Sequence, residues 1–85
     1  NRPNPFGEST RVAYTLSRPS DVTLAVYDVA GHLVRALESG NRDAGEHEVL
    51  WDGRNAAGRS VANGTYFLKL ETAEGVAAHK VSVLR

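Results

Sequence analysis

Cysteine is absent from the chain. That excludes disulfides, thiolate metal sites and thiol catalysis, and it leaves the redox compartment open, because exported domains need not carry Cys. Methionine is absent too, even at position 1, so the expectation is a chain that starts after processing or belongs to a longer precursor. Excess charge of either sign is missing, with 10 Lys+Arg against 10 Asp+Glu. The cations stand singly, from Arg2 through Arg35 and Arg59 to Arg85, so no stripe neutralises successive phosphates and no polybasic anchor forms. Nucleic acid is therefore not an expected partner. No apolar run approaches the roughly 18–20 residues that span a bilayer, so membrane insertion is not expected either. Length is scarce as well. The 85 residues can enclose a single core, and a domain of this size buries only about 60–65% of its unfolded surface. A catalytic cleft would consume much of that core, so neither an enzyme nor a cofactor is expected.

What the chain does contain is short alternating apolar runs divided by Gly, Asn and Asp. Over residues 10–16, Val12, Tyr14 and Leu16 share one face and Arg11, Ala13 and Thr15 the other. Pro19 breaks that run, since it cannot donate to a central ladder. Residues 21–29 alternate again, with Val22, Leu24 and Val26 inward, and Asp28-Val29-Ala30-Gly31 reads as a hairpin turn. The returning strand over 32–38 carries Leu33, Val34 and Leu37 out of strict alternation, which predicts a bulge. Residues 39–44 read as a polar loop. Residues 45–51 alternate, with His47, Val49 and Trp51 inward, and a Gly-rich connection follows over 52–58. A short edge strand is expected at 60–62, then strands over 65–72 and 76–84 joined by a tight turn at Ala73-Glu74-Gly75.

These are period-2 patterns, and no long segment has helical periodicity. The fold class is all-β: an immunoglobulin-like (fibronectin III-like) antiparallel sandwich of about seven strands, by strand number and spacing. Two parts are expected, an extended arm over residues 1–9, which holds Pro3 and Pro5, and the sandwich over 10–85. The expected core is Val12, Tyr14, Leu16, Val22, Leu24, Val26, Val34, Leu37, Val49, Trp51, Tyr66, Leu68, Leu70, Val81 and Val83.

Particular residues carry a family resemblance. Asn4-Pro5-Phe6 followed by Thr10-Arg11-Val12-Ala13-Tyr14 resembles the opening of certain bacterial C-terminal modules. The hairpin Val26-Tyr27-Asp28 to Gly31-His32-Leu33-Val34, the segment Val49-Leu50-Trp51-Asp52-Gly53, and Asn63-Gly64-Thr65-Tyr66 with Lys80 continue the likeness in order. Two groups share the pattern: the type A sorting domains of the type IX secretion route, and the immunoglobulin-like domain of the flagellar hook-capping protein. The first resemblance implies a module recognised during outer-membrane export, in which the last strand and its cations, here Lys80 and Arg85, take part.

Sites of chemistry are thin. Asp52 and Asn55 lie near glycines but miss the EF-hand spacing, so they read as turn residues, and whether a calcium ion sits beside them stays open. His32, His47 and His79 lack the close spacing of a ligand pair, and His47 is expected inward beside Trp51, bonded to a neighbour. No serine occupies a nucleophile elbow. Phe6 is a ready anchor on the arm, and Tyr27 and Phe67 point outward. The expected contact residues are thus Pro5, Phe6, Tyr27, Phe67, Lys80 and Arg85.

The leading expectation is a secreted, non-catalytic module for export and surface attachment, with a secreted, extracellular or cell-surface location. Two alternatives stand beside it: a self-assembling extracellular structural subunit that uses the arm or edge strands, and a carbohydrate-binding module. Partners are expected to be protein, either secretion machinery or neighbouring subunits, including copies of the chain itself in an oligomer or polymer.

Overall fold

The computed structural model describes residues 10–84, and every regular element among them is a strand. The arm expected over residues 1–9, with Pro5 and Phe6, and the terminal Arg85 lie outside the described residues. In chain order the strands are β1 (Thr10–Leu16), β2 (Ser20–Asp28), β3 (Leu33–Arg42), β4 (Gly45–Trp51), β5 (Gly64–Thr72) and β6 (Gly75–Val83). They form two antiparallel sheets, one of β1 and β4, the other in the order β3-β2-β5-β6. The sandwich is as expected, with six strands among the described residues where about seven were anticipated.

The difference lies at residues 60–62. Ser60 makes only an isolated bridge to Arg54, because the backbone around it already closes on its own loop. Val61 donates to the Gly53 carbonyl at 2.9 Å and Asn55 to the Arg59 carbonyl at 2.8 Å. The expected polar loop at 39–44 is also corrected. β3 continues through Arg42, with Ser39, Gly40, Asn41 and Arg42 opposite Thr23, Val22, Asp21 and Ser20. Backbone pairing to a full-length neighbour outweighs side-chain polarity there, and only Asp43 and Ala44 connect β3 to β4. The anticipated bulge is present as register shifts between Leu24 and Ala25 and between Val26 and Tyr27.

Turn chemistry follows from composition. At the β2–β3 hairpin the Asp28 carboxylate accepts from the Ala30 and His32 amides, each at 2.9 Å. The His32 amide bond holds the Asp28 carboxyl below its ordinary value against the opposing effect of burial, helped by the Ala30 amide and the His32 ring. Gly31 sits at φ 87° and closes the turn, where a side chain would be strained.

The core is built by alternation. Val12, Leu24, Val26, Trp51, Tyr66 and Leu68 form one buried cluster; Tyr14, Leu16 and Val22 form a second. Val34, Leu37, Val49, Leu70, Val81 and Val83 are half-buried against them. Fully burying one such aliphatic side chain contributes about 1.5–3 kcal/mol. Trp51, 1% exposed, meets Tyr66 edge-to-face at 5.6 Å and donates its indole N–H to the Arg54 carbonyl. Ser20 was missing from the sequence-derived core. It is buried, and its hydroxyl oxygen accepts from the Ala73 amide at 2.9 Å, tying the β5–β6 hairpin to the start of β2.

The two long sides of the sandwich differ. On one side the short link from β3 to β4 joins the sheets, and a polar cluster fills the corner. The Tyr14 hydroxyl donates to Glu38, and Arg42 Nε donates to the other Glu38 oxygen at 2.8 Å. His47 stacks on the Tyr14 ring at 5.1 Å and bonds the Asp43 carbonyl at 2.7 Å. His47 thus faces inward and is satisfied as expected, but beside Tyr14 rather than Trp51. On the other side β1 and β6 face each other across a groove of about 280 Å³ lined by Thr15, Leu16, Leu70, Val76 and Ala77. There Ser17 donates to Glu74 at the exposed rim.

Candidate functional site

The loop between β4 and β5 is a hydrogen-bonded cap rather than a reaction centre. Asp52 Oδ1 accepts from the Arg54 amide at 3.1 Å and from Arg35 Nη1 at 2.8 Å. Asn55 Oδ1 accepts from the Ala57 and Arg59 amides at 2.9 and 3.1 Å. Ala56 donates to the Val34 carbonyl at 3.2 Å, which fastens the loop to β3. The oxygens that raised the question of calcium are therefore engaged with local donors. Among the described residues, no group of three or more His, Cys, Asp and Glu is placed to hold a metal.

The polar corner has shifted ionisation, and its Tyr14 and His47 also border an open depression of about 470 Å³ with Ala13, Thr15, Glu46 and Glu48. Burial pushes the Tyr14 phenol up to about 12, helped by its bond to Glu38 and by that carboxylate's charge, with Arg42 opposing. For Glu38, burial acts to raise the carboxyl, yet hydrogen bonds from Tyr14 and Arg42 and the nearby cations outweigh it, so the net direction is downward. These shifts favour a neutral phenol against an ionised carboxylate, an arrangement that holds the corner together.

The outer face of the four-stranded sheet gathers the residues read from sequence as contacts. β2, β3, β5 and β6 present alternate side chains away from the core, and the register aligns them in rows across the strands. One row runs Leu33, Tyr27, Phe67, Lys80, through the pairs Tyr27 with Leu33, Tyr27 with Phe67 and Phe67 with Lys80. Three of the expected contact residues, Tyr27, Phe67 and Lys80, thus stand side by side. Pro5, Phe6 and Arg85 lie outside the described residues. The next row places Ala36, Ala25, Lys69 and Ala78 together. The Lys69 ammonium lies 5.7 Å from the centre of the Tyr27 ring and 3.2 Å from Glu71. Beneath that cation Ala25 is 3% exposed although it points away from the core.

Sequence reasoning missed Leu33, which is 60% exposed. Its signal was present in the broken alternation of Leu33, Val34 and Leu37. A residue forced out of phase by a bulge goes to the other face. The result is an apolar and aromatic strip with Lys80 at one end and Lys69 beside Tyr27, and its Leu33 end borders an open pocket of about 490 Å³ shared with Val34, Ala56, Val61 and Tyr66. Such a surface suits a broad, flat protein partner: aromatics supply contact area and long cations snorkel at the rim.

Comparison with known proteins bears on the family and the fold. The model of the FlgD Ig-like domain family matches residues 4–75. The basal-body rod modification protein FlgD of Salmonella typhimurium is 37% identical over 68 residues, covering 79% of this chain and 29% of that protein. Its namesake from Escherichia coli K12 is 31% identical over 71 residues, covering 84% of this chain and 29% of that protein. Among solved structures, FlgD from P. aeruginosa superposes with a TM-score of 0.68 at 26% identity, covering 88% of this chain and 59% of that one. FlgD from Xanthomonas campestris, described through the hook capping essential for flagellar assembly, gives 0.65 at 26% identity, covering 89% and 56%. The chain thus spans about three-tenths of the length of the curated relatives it matches.

These relatives correct the leading functional expectation. They are named for basal-body rod modification and hook capping, so the reading as a type IX sorting and surface-attachment module does not stand. The secreted, extracellular or cell-surface location falls with it, since the relatives are named for the flagellar basal body. An extracellular self-assembling subunit and a carbohydrate-binding module are set aside on the same finding. Turn glycines and core apolars dominate the shared pattern, which is why sequence likeness alone did not separate the two groups.

Proposed function

The chain belongs to the FlgD Ig-like domain family, and on that premise we propose that it is a non-catalytic structural module of a protein that serves flagellar hook assembly. The observation that carries the reading is the family match across residues 4–75, together with relatives named for rod modification and hook capping. Its partners are proteins, and it meets them through the outer face of the four-stranded sheet. The Leu33–Tyr27–Phe67 strip supplies apolar area that a partner can desolvate, and Lys80 at its end favours an acidic neighbour. The cap-like loop and the polar corner are internally hydrogen-bonded, which suits a structural module.

The test is an exchange of segments. In Salmonella typhimurium the matching segment of the basal-body rod modification protein is replaced by this chain, and hooks are counted by electron microscopy. The exchange protein is expected to form hooks, and the same protein with Tyr27→Ala and Leu33→Glu to form severalfold fewer at equal abundance. An exchange protein that accumulates normally and forms no hooks would count against the reading. Hooks unaffected by the paired substitutions would remove the outer face from it.

A further inference from the structure

The two outer strands of the larger sheet present different edges. β3 is broken twice, because its pairing with β2 skips Leu37 and then Val34. Its Val34 carbonyl is taken by the Ala56 amide of the loop between β4 and β5, and Arg35 reaches across to Asp52. Bulges and a covering loop of this kind keep an edge from pairing further. β6 has neither. It pairs with β5 from Gly75 through Val83 without a register shift. It contains no proline, and Lys80 is its single residue of the Lys, Arg, Asp and Glu set. Among the described residues no strand lies on its outer edge. Every second backbone amide and carbonyl along β6 therefore points out from the sheet. Side chains leave that edge accessible: residues 75–80 are all exposed, including Ala77 and His79, which share the inward face with Val81.

We propose that the occupant of this edge is β6 of a second copy, paired antiparallel about a two-fold axis at His79. The sequence of β6 names the partner, because the strand is complementary to its own reverse. A two-fold axis perpendicular to the sheet keeps inward residues beside inward ones and outward beside outward, so only registers centred on a residue are allowed. Centring on His79, the middle of Gly75–Val83, lets the whole strand overlap. In that register the outward pairs are Val76 with Ser82 and Ala78 with Lys80. Inward, Ala77 meets Val81 and His79 meets its own copy. Lys80 thus lies beside a methyl group rather than a second ammonium. Moving the centre to Lys80 would oppose the two ammonium groups directly and shorten the overlap, and like charges directly opposite are unfavourable. The register of greatest overlap is therefore also one free of like-charge pairs. The product joins two four-stranded sheets into one, ended on both sides by a bulged β3. Both outer faces, each with its Tyr27 and Phe67, then lie on one continuous surface. A single strand pair is small beside the roughly 1,200–2,000 Å² of standard interfaces, so the dimer forms at high local concentration, as between subunits of an assembly. The inference concerns a second copy and is independent of the partner that the outer face meets.

The register gives the test. Self-association of the intact 85-residue chain is measured by sedimentation equilibrium from micromolar to millimolar concentration at neutral pH, and amide exchange of β6 is followed by NMR over the same range. The unaltered chain is expected to dimerise as concentration rises, with the outward-pointing β6 amides gaining protection in step. Ala78→Lys sets a second ammonium opposite Lys80, twice by symmetry, and is expected to weaken the dimer severalfold to about tenfold. Ala78→Glu sets a carboxylate there and is expected to tighten it. Ala78→Lys combined with Lys80→Glu restores an opposite-charge pair and is expected to recover at least the affinity of the unaltered chain. Residue 78 is exposed, and circular dichroism checks that each variant is folded before it is compared. A chain that stays monomeric at millimolar concentration would overturn the proposal. So would a dimer indifferent to Ala78→Lys and Ala78→Glu, a double variant no tighter than Ala78→Lys alone, or edge protection that does not change on dilution.

Discussion

The side of the sandwich where β3 passes into β4 and the side where β1 faces β6 solve one problem in opposite ways. Both must seal a seam between two sheets of unequal width. At the β3–β4 side the chain crosses directly and leaves a half-buried corner, where Tyr14, Glu38 and Arg42 satisfy one another and His47 stacks on the phenol ring. At the β1–β6 side the tie between Ser17 and Glu74 is exposed, and a groove separates the strands. A polar bond counts for more where water cannot replace it. The comparison therefore predicts unequal energetic weight for contacts that look alike as drawn.

Trp51 sets the scale, because it packs in the shared centre and serves neither side alone. Trp51→Ala is expected to cost about 3–5 kcal/mol by chemical denaturation, enough to leave so small a domain largely unfolded. Glu38→Ala comes next, at about 1–3 kcal/mol, since it strands the Tyr14 hydroxyl and the Arg42 guanidinium at the corner. Its counterpart across the groove, Ser17→Ala, is expected to change stability by less than about 0.5 kcal/mol. Equal costs for Glu38→Ala and Ser17→Ala would erase the distinction.

Titration sharpens the same contrast. Glu38 has a folded pKa below its ordinary 4.5, so its contribution is present above that value and is lost as pH falls through the lowered one. The stability advantage of the unaltered chain over Glu38→Gln is expected to shrink in that acid range, as read from denaturation midpoints against pH. Tyr14 runs the other way. With its pKa pushed from 10.0 to about 12, its contribution is whole below pH 10 and declines as pH rises through 12. A Tyr14→Phe chain is expected to lose that alkaline sensitivity. Smallest of all in stability is Leu33→Ser on the outer face, within about 0.5 kcal/mol, so that a loss of partner contact would not reflect unfolding.

Much of this architecture was legible in alternation. The inward series Val12-Tyr14-Leu16 and Val22-Leu24-Val26 mark strands because each switches face at every residue, and Trp51 and Tyr66 fall in phase with them. Asp28 with Gly31 announced a turn through local chemistry alone. What alternation could not show depends on distant neighbours. Ser20 is buried because the Ala73 amide, far along the chain, needs an acceptor. Residues 39–42 look like loop because their polarity is read without β2, which supplies the pairing. At the candidate face, Tyr27 and Phe67 were visible as outward aromatics, but their alignment with Leu33 and Lys80 is a matter of register. The corner cluster was hidden for the same reason: Tyr14, Glu38 and Arg42 come from two strands in different sheets.

Two double-mutant cycles test the comparison most directly, Tyr14→Phe with Glu38→Gln at the corner and Ser17→Ala with Glu74→Gln at the groove. Measured by denaturation at neutral pH, the corner pair is expected to show coupling of about 1 kcal/mol or more, and the groove pair coupling indistinguishable from zero. Comparable coupling in the two pairs, or a larger value at Ser17 and Glu74, would contradict a sandwich sealed on one side and open on the other.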